Sequence, residues 1–247
     1  LSQGILYLAF GSEYLKLSLA TLAHSRQFTD LPFHLISNLP VDYKWLDDNH
    51  VTTTLVDIPN DENRKVKTNL IEYTPFDRTL YLDCDSVINK PGIEQVFSFV
   101  DEHDIVLHKY INFRVGKKIF RIYKTAMINA GITLPLMVYS GAFVVFKQDN
   151  SSRRFFSEWN RHWSLNGCGR DMPSLACAAK TSGVDIREIS KKDGIFSVMG
   201  TEMNCIVVHR GLGIRSLKHL FGIENYQQNK PFDKGRRGDW SMVPFNI

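Results

Sequence analysis

Residues 80–88 read LYLDCDSVI, an apolar run that ends in two aspartates one residue apart. Side chains alternate along a strand, so Asp83 and Asp85 are expected to share one face. Carboxylates that close repel each other and raise each other's pKa unless something positive sits between them. A divalent cation would serve, and it would also stabilise negative charge developing on a departing phosphate. The chemistry this spacing suggests is metal-assisted group transfer.

The elements that must position the pair can be traced from the apolar patterning. Gly4–Phe10 (GILYLAF) reads as a buried strand, then Ser12 as the cap of a helix with Leu15, Leu19 and Leu22 on one face. FHLIS (33–37) and VTTTLVDI (51–58) read as strands, with a helical stretch around Lys65–Tyr73. Beyond the motif, Pro91 starts a helix to about Glu102, and DIVLHK (104–109) and YSGAFVVFK (139–147) are strands. A helix carrying Phe155, Phe156, Trp159 and Trp163 follows, then a helix from Met172 and strands VDIREIS (184–190) and CIVVHR (205–210). Alternating strands and helices predict one α/β domain over residues 1–220, with a mostly parallel central sheet flanked by helices. Its ligand belongs beyond the carboxyl ends of the strands. Residues 221–247 form a polar tail.

Composition narrows the classes. The 247 residues are 43% hydrophobic and 23% charged, ordinary values for a folded domain. The net charge of +4 is too small to argue for nucleic acid. No apolar run approaches the roughly 20 residues of a membrane-spanning helix. The chain begins at Leu1 rather than Met, which leaves room for a removed N-terminal segment. Cys84, Cys168, Cys177 and Cys205 form no C-x-x-C pair and read as free, mostly buried thiols in a cytoplasmic setting. A zinc site from Cys168, Cys177 and His162 lacks the usual spacing.

Three readings compete for the acidic motif. One is a solvated acidic turn. Another is a phosphatase of the haloacid-dehalogenase type, which normally places such a motif near its N-terminus and adds a later acidic cluster. Here about three strands precede the motif and no such cluster follows. The third is a metal-dependent glycosyltransferase of the GT-A type.

The chain resembles the glycogenin-like glycosyltransferases of family 8 over roughly residues 4–220. In that family a strand like YLDCDSVI supplies two metal ligands, and a histidine after a late apolar strand supplies the third. The segment IVVHRGLGIRSLK places His209 there. The resemblance implies a Mn²⁺ or Mg²⁺ site of Asp83, Asp85 and His209, whose mixed oxygen and nitrogen donors suit Mn²⁺. Arg215 stands where the family has a phosphate-binding lysine six residues after the histidine, with Lys218 nearby. Gly211 and Gly213 let the backbone approach the phosphates.

The resemblance assigns further residues. Lys67, 16 residues before Asp83, matches a donor-contacting basic residue, although alone it reads as a solvated helix lysine. Phe10, Gly11 and Tyr14 stand where the family holds base and ribose, Asp57 is a contact to the base edge, and Cys84 belongs to the motif itself. Tyr14 reads equally as a helix-packing aromatic. Among the acceptor-side motifs, Ser140-Gly141-Ala142 stands where family members often carry Asn-Gly-Gly or Asn-Ala-Gly, and Ser140 and Gly141 are taken to contact the donor. Asp171 matches an aspartate facing the donor sugar, and otherwise reads as a helix N-cap. Met172 stands where the family has a glutamine linked to retaining chemistry, so retention is implied with that residue missing.

The activity implied is transfer of a sugar from a nucleotide-diphosphate donor, UDP-linked by resemblance, to a sugar, lipid-linked or protein acceptor. A nucleotide-sugar-binding module without turnover is the alternative. Residues 109–124 interleave six basic residues with aromatics and read as an amphipathic helix or as a contact for an acidic acceptor or an anionic membrane surface.

Overall fold

The computed structural model describes residues 1–112, 120–133, 136–198 and 205–209. The opening apolar run folds as β1 (Gln3–Ala9), followed by α1 (Ser12–Ser25), β2 (Phe33–Ser37), α2 (Tyr43–Asp48) and β3 (Val51–Leu55). A short α3 (Asn63–Lys67) precedes β4 (Arg78–Asp83), the strand of the acidic motif. The turn Cys84-Asp85 leads into β5 (Ser86–Ile88), then α4 (Val96–Glu102) and β6 (Ile105–Asn112). The second half supplies α5 (Phe120–Asn129), β7 (Met137–Lys147), α6 (Asn150–Leu165) and α7 (Asp171–Thr181). Three short strands follow: β8 (Ile186–Ile189), β9 (Phe196–Val198) and β10 (Val207–His209).

Seven strands form one sheet in the order β3-β2-β1-β4-β7-β6-β8. All neighbours are parallel except β7, which runs antiparallel to both β4 and β6. The sheet is mostly parallel, as expected. A second sheet, β5-β10-β9, has three strands of three residues each, too short to carry a periodic signal.

Strand alternation divides the core in two. Ile5, Tyr7, Leu80, Leu82, Phe143 and Val145 face one side, against α1, α4 and the small sheet. Leu6, Leu8, Tyr81, Val144 and Phe146 face the other, against α3, α6 and α7. The α6 aromatics fill that second side; Trp159 is fully buried and stacks on Phe156 at 5.9 Å between ring centroids.

Several boundaries differ from expectation. Ser12 is the first helical residue of α1 rather than its cap. Gly11 takes the cap position with φ 82°, where a side chain would be strained, and its N–H donates to Asn38 Oδ1 at 2.9 Å. β3 stops at Leu55: a last ladder bond runs from Val56 N–H to Ser37 O, and the chain then turns toward Pro59. The helix expected from Pro91 begins later, because Gly92 adopts φ 101°. Of the four free cysteines, Cys177 and Cys205 are buried as expected, whereas Cys168 is exposed.

Two buried histidines make stability depend on pH. His34 sits between Thr52 Oγ1 (2.7 Å from Nδ1) and Thr54 Oγ1 (3.0 Å from Nε2). His108 packs on Phe196, and neither ring nitrogen has a hydrogen-bond partner among the described residues. Burial pushes both imidazoles down to a pKa of about 4. Between that value and the ordinary 6.5, the unfolded chain binds more protons than the folded one. Stability should therefore be fully present above pH 6.5 and fall as pH drops toward 4, by on the order of 2–3 kcal/mol per histidine. Urea unfolding from pH 7.5 to 4.5 checks this, and His108→Leu should flatten the slope by about half.

Candidate functional site

The site grows from the carboxyl end of β4. Asp83 is that strand's last residue, but Asp85 lies in the turn beyond it, so strand alternation is not what brings the two together. The turn is held by Thr21, whose hydroxyl donates to Cys84 O at 2.9 Å. β5 then pairs antiparallel with β10, placing Ser86 opposite His209. That register delivers His209 to the motif across more than a hundred residues of chain. His209 Nδ1 lies 3.1 Å from Asp85 Oδ1 and 2.9 Å from Ser86 Oγ.

Asp83, Asp85 and His209 each offer a ligand atom, and these lie within 4.8 Å of one another. Two carboxylates and an imidazole fit a divalent cation with mixed oxygen and nitrogen preference, such as Mn²⁺. Burial favours the neutral ring of His209, but its hydrogen bond to Asp85 and the charges of Asp85 and Asp83 outweigh this and raise its pKa. Burial acts to raise the Asp85 pKa, yet the same hydrogen bond and charge lower it overall. Between the aspartates, burial and both carboxylates push the Cys84 thiol well up, so it stays protonated rather than becoming a thiolate ligand.

A second acidic group adjoins the first. Lys67, at the end of α3, donates from Nζ to Asp83 Oδ1 at 2.8 Å and lies 2.9 Å from Asp171 Oδ2. The lysine is buried, so the solvated-surface reading does not hold. Burial disfavours its ammonium, but the charges of Asp171 and Asp83 and their hydrogen bonds raise its pKa. Burial likewise acts to raise the pKa of Asp171, and the Lys67 charge lowers it overall. The N-cap reading of Asp171 is also corrected. Arg170 occupies the cap of α7, no side chain bonds there, and the Asp171 carboxylate turns to Lys67 and Arg64 instead.

Gly141 explains why this pair fits. A Cβ on it would lie 2.9 Å from Asp171 Oδ2 and 3.3 Å from Lys67 Nζ. The neighbouring Ser140 is buried and accepts from the Ala142 N–H at 3.3 Å.

The remaining expected residues divide. Tyr14 is 54% exposed on the first turn of α1, so it is not a packing aromatic. Asp57 is exposed after β3. Phe10 is only 3% exposed and belongs to the core, so its side chain is withdrawn from any ligand. Gly211, Gly213, Arg215, Lys218 and the 221–247 tail lie outside the described residues, as do residues 113–119 of the basic stretch 109–124. No helix among the described residues is long and apolar enough to cross a membrane.

Sequence reasoning missed four groups at this edge. Arg64, one helical turn before Lys67, stands with Nε 3.7 Å from Asp171 Oδ1. The Tyr81 hydroxyl donates to Asp83 Oδ1 at 2.7 Å. Asn38 holds Gly11 and donates to Asn60 Oδ1 at 2.7 Å. Only Arg64 carried a usable signal, its i−3 spacing from Lys67 on one helix face.

No protein-family model matches the sequence, and a search of curated proteins found no match. The fold does match solved structures. The galactosyltransferase LgtC, in complex with donor and acceptor sugar analogs, aligns with TM-score 0.59 at 10% identity, over 91% of this chain and 98% of that one. An active-site mutant of LgtC gives TM-score 0.56 at 10% identity, over 83% and 86%. The apo form of mouse xyloside xylosyltransferase 1 gives TM-score 0.55 at 9% identity, over 85% and 97%. The architecture is the GT-A glycosyltransferase fold.

The buried ammonium offers a direct check. Lys67→Met leaves two carboxylates facing each other without their cation, and should cost about 3–5 kcal/mol of stability. Asp171→Asn in the same chain should recover part of that loss. A double-mutant cycle from urea unfolding measures the coupling; additive effects would mean that the pair does not interact.

Proposed function

We propose that this chain is a metal-dependent glycosyltransferase that moves a sugar from a nucleotide-diphosphate donor, a UDP-sugar in our reading, to an acceptor hydroxyl. One observation carries the reading. In a GT-A fold, Asp83, Asp85 and His209 converge at the carboxyl edge of the sheet, directly beside the Lys67–Asp171 pair.

Asp83, Asp85 and His209 would hold Mn²⁺ or Mg²⁺, which supplies positive charge to the diphosphate as it departs. Lys67 bridges Asp83 and Asp171 and fixes both carboxylates, so both face the donor without reorganising during the reaction. Asp171 accepts from a hydroxyl of the donor sugar, and its Oδ1 is the oxygen free of the close Lys67 contact. Gly11, Tyr14 and Asp57 take the nucleoside, with Tyr14 exposed enough to stack on a pyrimidine. Gly211, Gly213, Arg215 and Lys218 complete the diphosphate contacts, in a domain that we take to run to about residue 220. Retention of configuration is our assignment from the motif resemblance, and the anomeric signal of the product in NMR checks it.

Transfer or donor hydrolysis should require a divalent cation, vanish in excess EDTA and return with Mn²⁺. Asp85→Asn keeps the shape and removes a charge, so the fold should survive while turnover drops at least about a hundredfold. Release of UDP from a panel of UDP-sugars measures both. Undiminished release in EDTA would overturn metal dependence. Donor binding without release would instead identify a nucleotide-sugar-binding module.

A further inference from the structure

We infer that Tyr81 and Ser86 are positioning residues that dictate which atoms of Asp83 and His209 face the cation. The inference rests on the metal role proposed above and goes beyond it, because neither hydroxyl belongs to the ligand set.

Asp83 Oδ1 already accepts two hydrogen bonds, from the Tyr81 hydroxyl at 2.7 Å and from Lys67 Nζ at 2.8 Å. Asp83 Oδ2 has no hydrogen-bond partner among the described residues. His209 shows the same division. Its Nδ1 meets Ser86 Oγ at 2.9 Å and Asp85 Oδ1 at 3.1 Å, and Nε2 is the nitrogen left over. A carboxylate accepts only, so Nδ1 donates to Asp85, and Nε2 is the nitrogen available to a cation. Partners of this kind orient ligands and set their basicity.

Both hydroxyls are fixed by the fold rather than by the motif. Tyr81 is 2% exposed, with its ring in the core against α3, α6 and α7 and Lys67 Nζ 5.5 Å from its centroid. Tyr81 and Asp83 are two apart on β4 and therefore share a face. Ser86 is fully buried, and the β5–β10 register sets it opposite His209.

The consequence is one-oxygen binding by Asp83. With Oδ1 engaged, the carboxylate gives the cation Oδ2 alone, a geometry that suits a small ion. Without the Tyr81 hydroxyl the carboxylate is free to turn and offer both oxygens, which favours Ca²⁺ with its six to eight oxygen ligands.

Calorimetric titration of the full chain with Mn²⁺ and then Ca²⁺ tests this without an activity assay. Tyr81→Phe keeps the ring and should weaken Mn²⁺ binding about tenfold while narrowing the preference for Mn²⁺ over Ca²⁺. Ser86→Ala should weaken Mn²⁺ binding by a similar factor and carries the test should the tyrosine variant not fold. Thr79→Val removes another buried hydroxyl of β4, bonded to Thr74, and should lower the melting temperature without moving either constant. Wild-type-like constants in folded Tyr81→Phe and Ser86→Ala would overturn the inference and leave the metal reading intact. Wild-type protein that binds neither ion would overturn both.

Discussion

The site depends on one buried ammonium. Lys67 Nζ lies within 2.9 Å of both Asp83 and Asp171, two carboxylates drawn from a strand and a helix far apart in the chain. Burying any of these charges alone would be costly, and like charges at this range would neutralise one another by protonation. Together each charge has an opposite partner. The arrangement constrains its surroundings in turn: position 141 must be glycine, since a side-chain carbon would press on both Asp171 and Lys67. A glycine in the middle of a central strand ordinarily weakens it, and here it marks a close approach.

The second constraint is a register. Among the described residues, three short strands make the small sheet, and the pairing of Ser86 with His209 brings the histidine to the acidic turn. Sliding that pair by one residue would turn His209 to the other side of its strand and remove the imidazole from the cluster. Buried apolar residues on either side hold the register: Val207 and Ile88 both lie in the core beneath the main sheet. The tyrosine hydroxyl of Tyr7 adds a bond to Ser86 O at 3.3 Å. Packing in the core thus fixes the position of the His209 imidazole beside Asp85.

Much of the fold was legible in the sequence because its parallel strands are buried on both faces and read as near-continuous apolar runs. β1, β2 and β4 follow GILYLAF, FHLIS and LYLD closely, and antiparallel β7, equally buried, follows YSGAFVVFK. Of the small sheet only β10 was legible, inside CIVVHR (205–210), and its pairing with two other three-residue strands was not, since three residues cannot show a period. At the site, residue types with strong chemistry stood out, so Asp83, Asp85, His209, Lys67 and Asp171 were all named in advance. Their partnerships were not. Tyr81 reads as one more apolar strand residue, and its hydroxyl gains meaning only once the strand's final aspartate is seen to lie on the same face. Lys67 and Asp171 each had a plain local explanation, surface lysine and helix cap, and long-range proximity overrode both. Phe10 erred the other way: sequence position placed it beside the nucleotide, while strand alternation sends its side chain into the core.

These observations converge on Asp83. One of its oxygens is committed to Tyr81 and Lys67, and through Lys67 to Asp171. The same carboxylate belongs to the group that can hold a cation with Asp85 and His209. A single carboxylate therefore belongs to both halves of the site. Pairs that share a partner are not energetically independent. The groups proposed for the departing diphosphate and for the donor sugar are in this sense one network, with Asp83 at its junction and Gly141 leaving the space in which it closes.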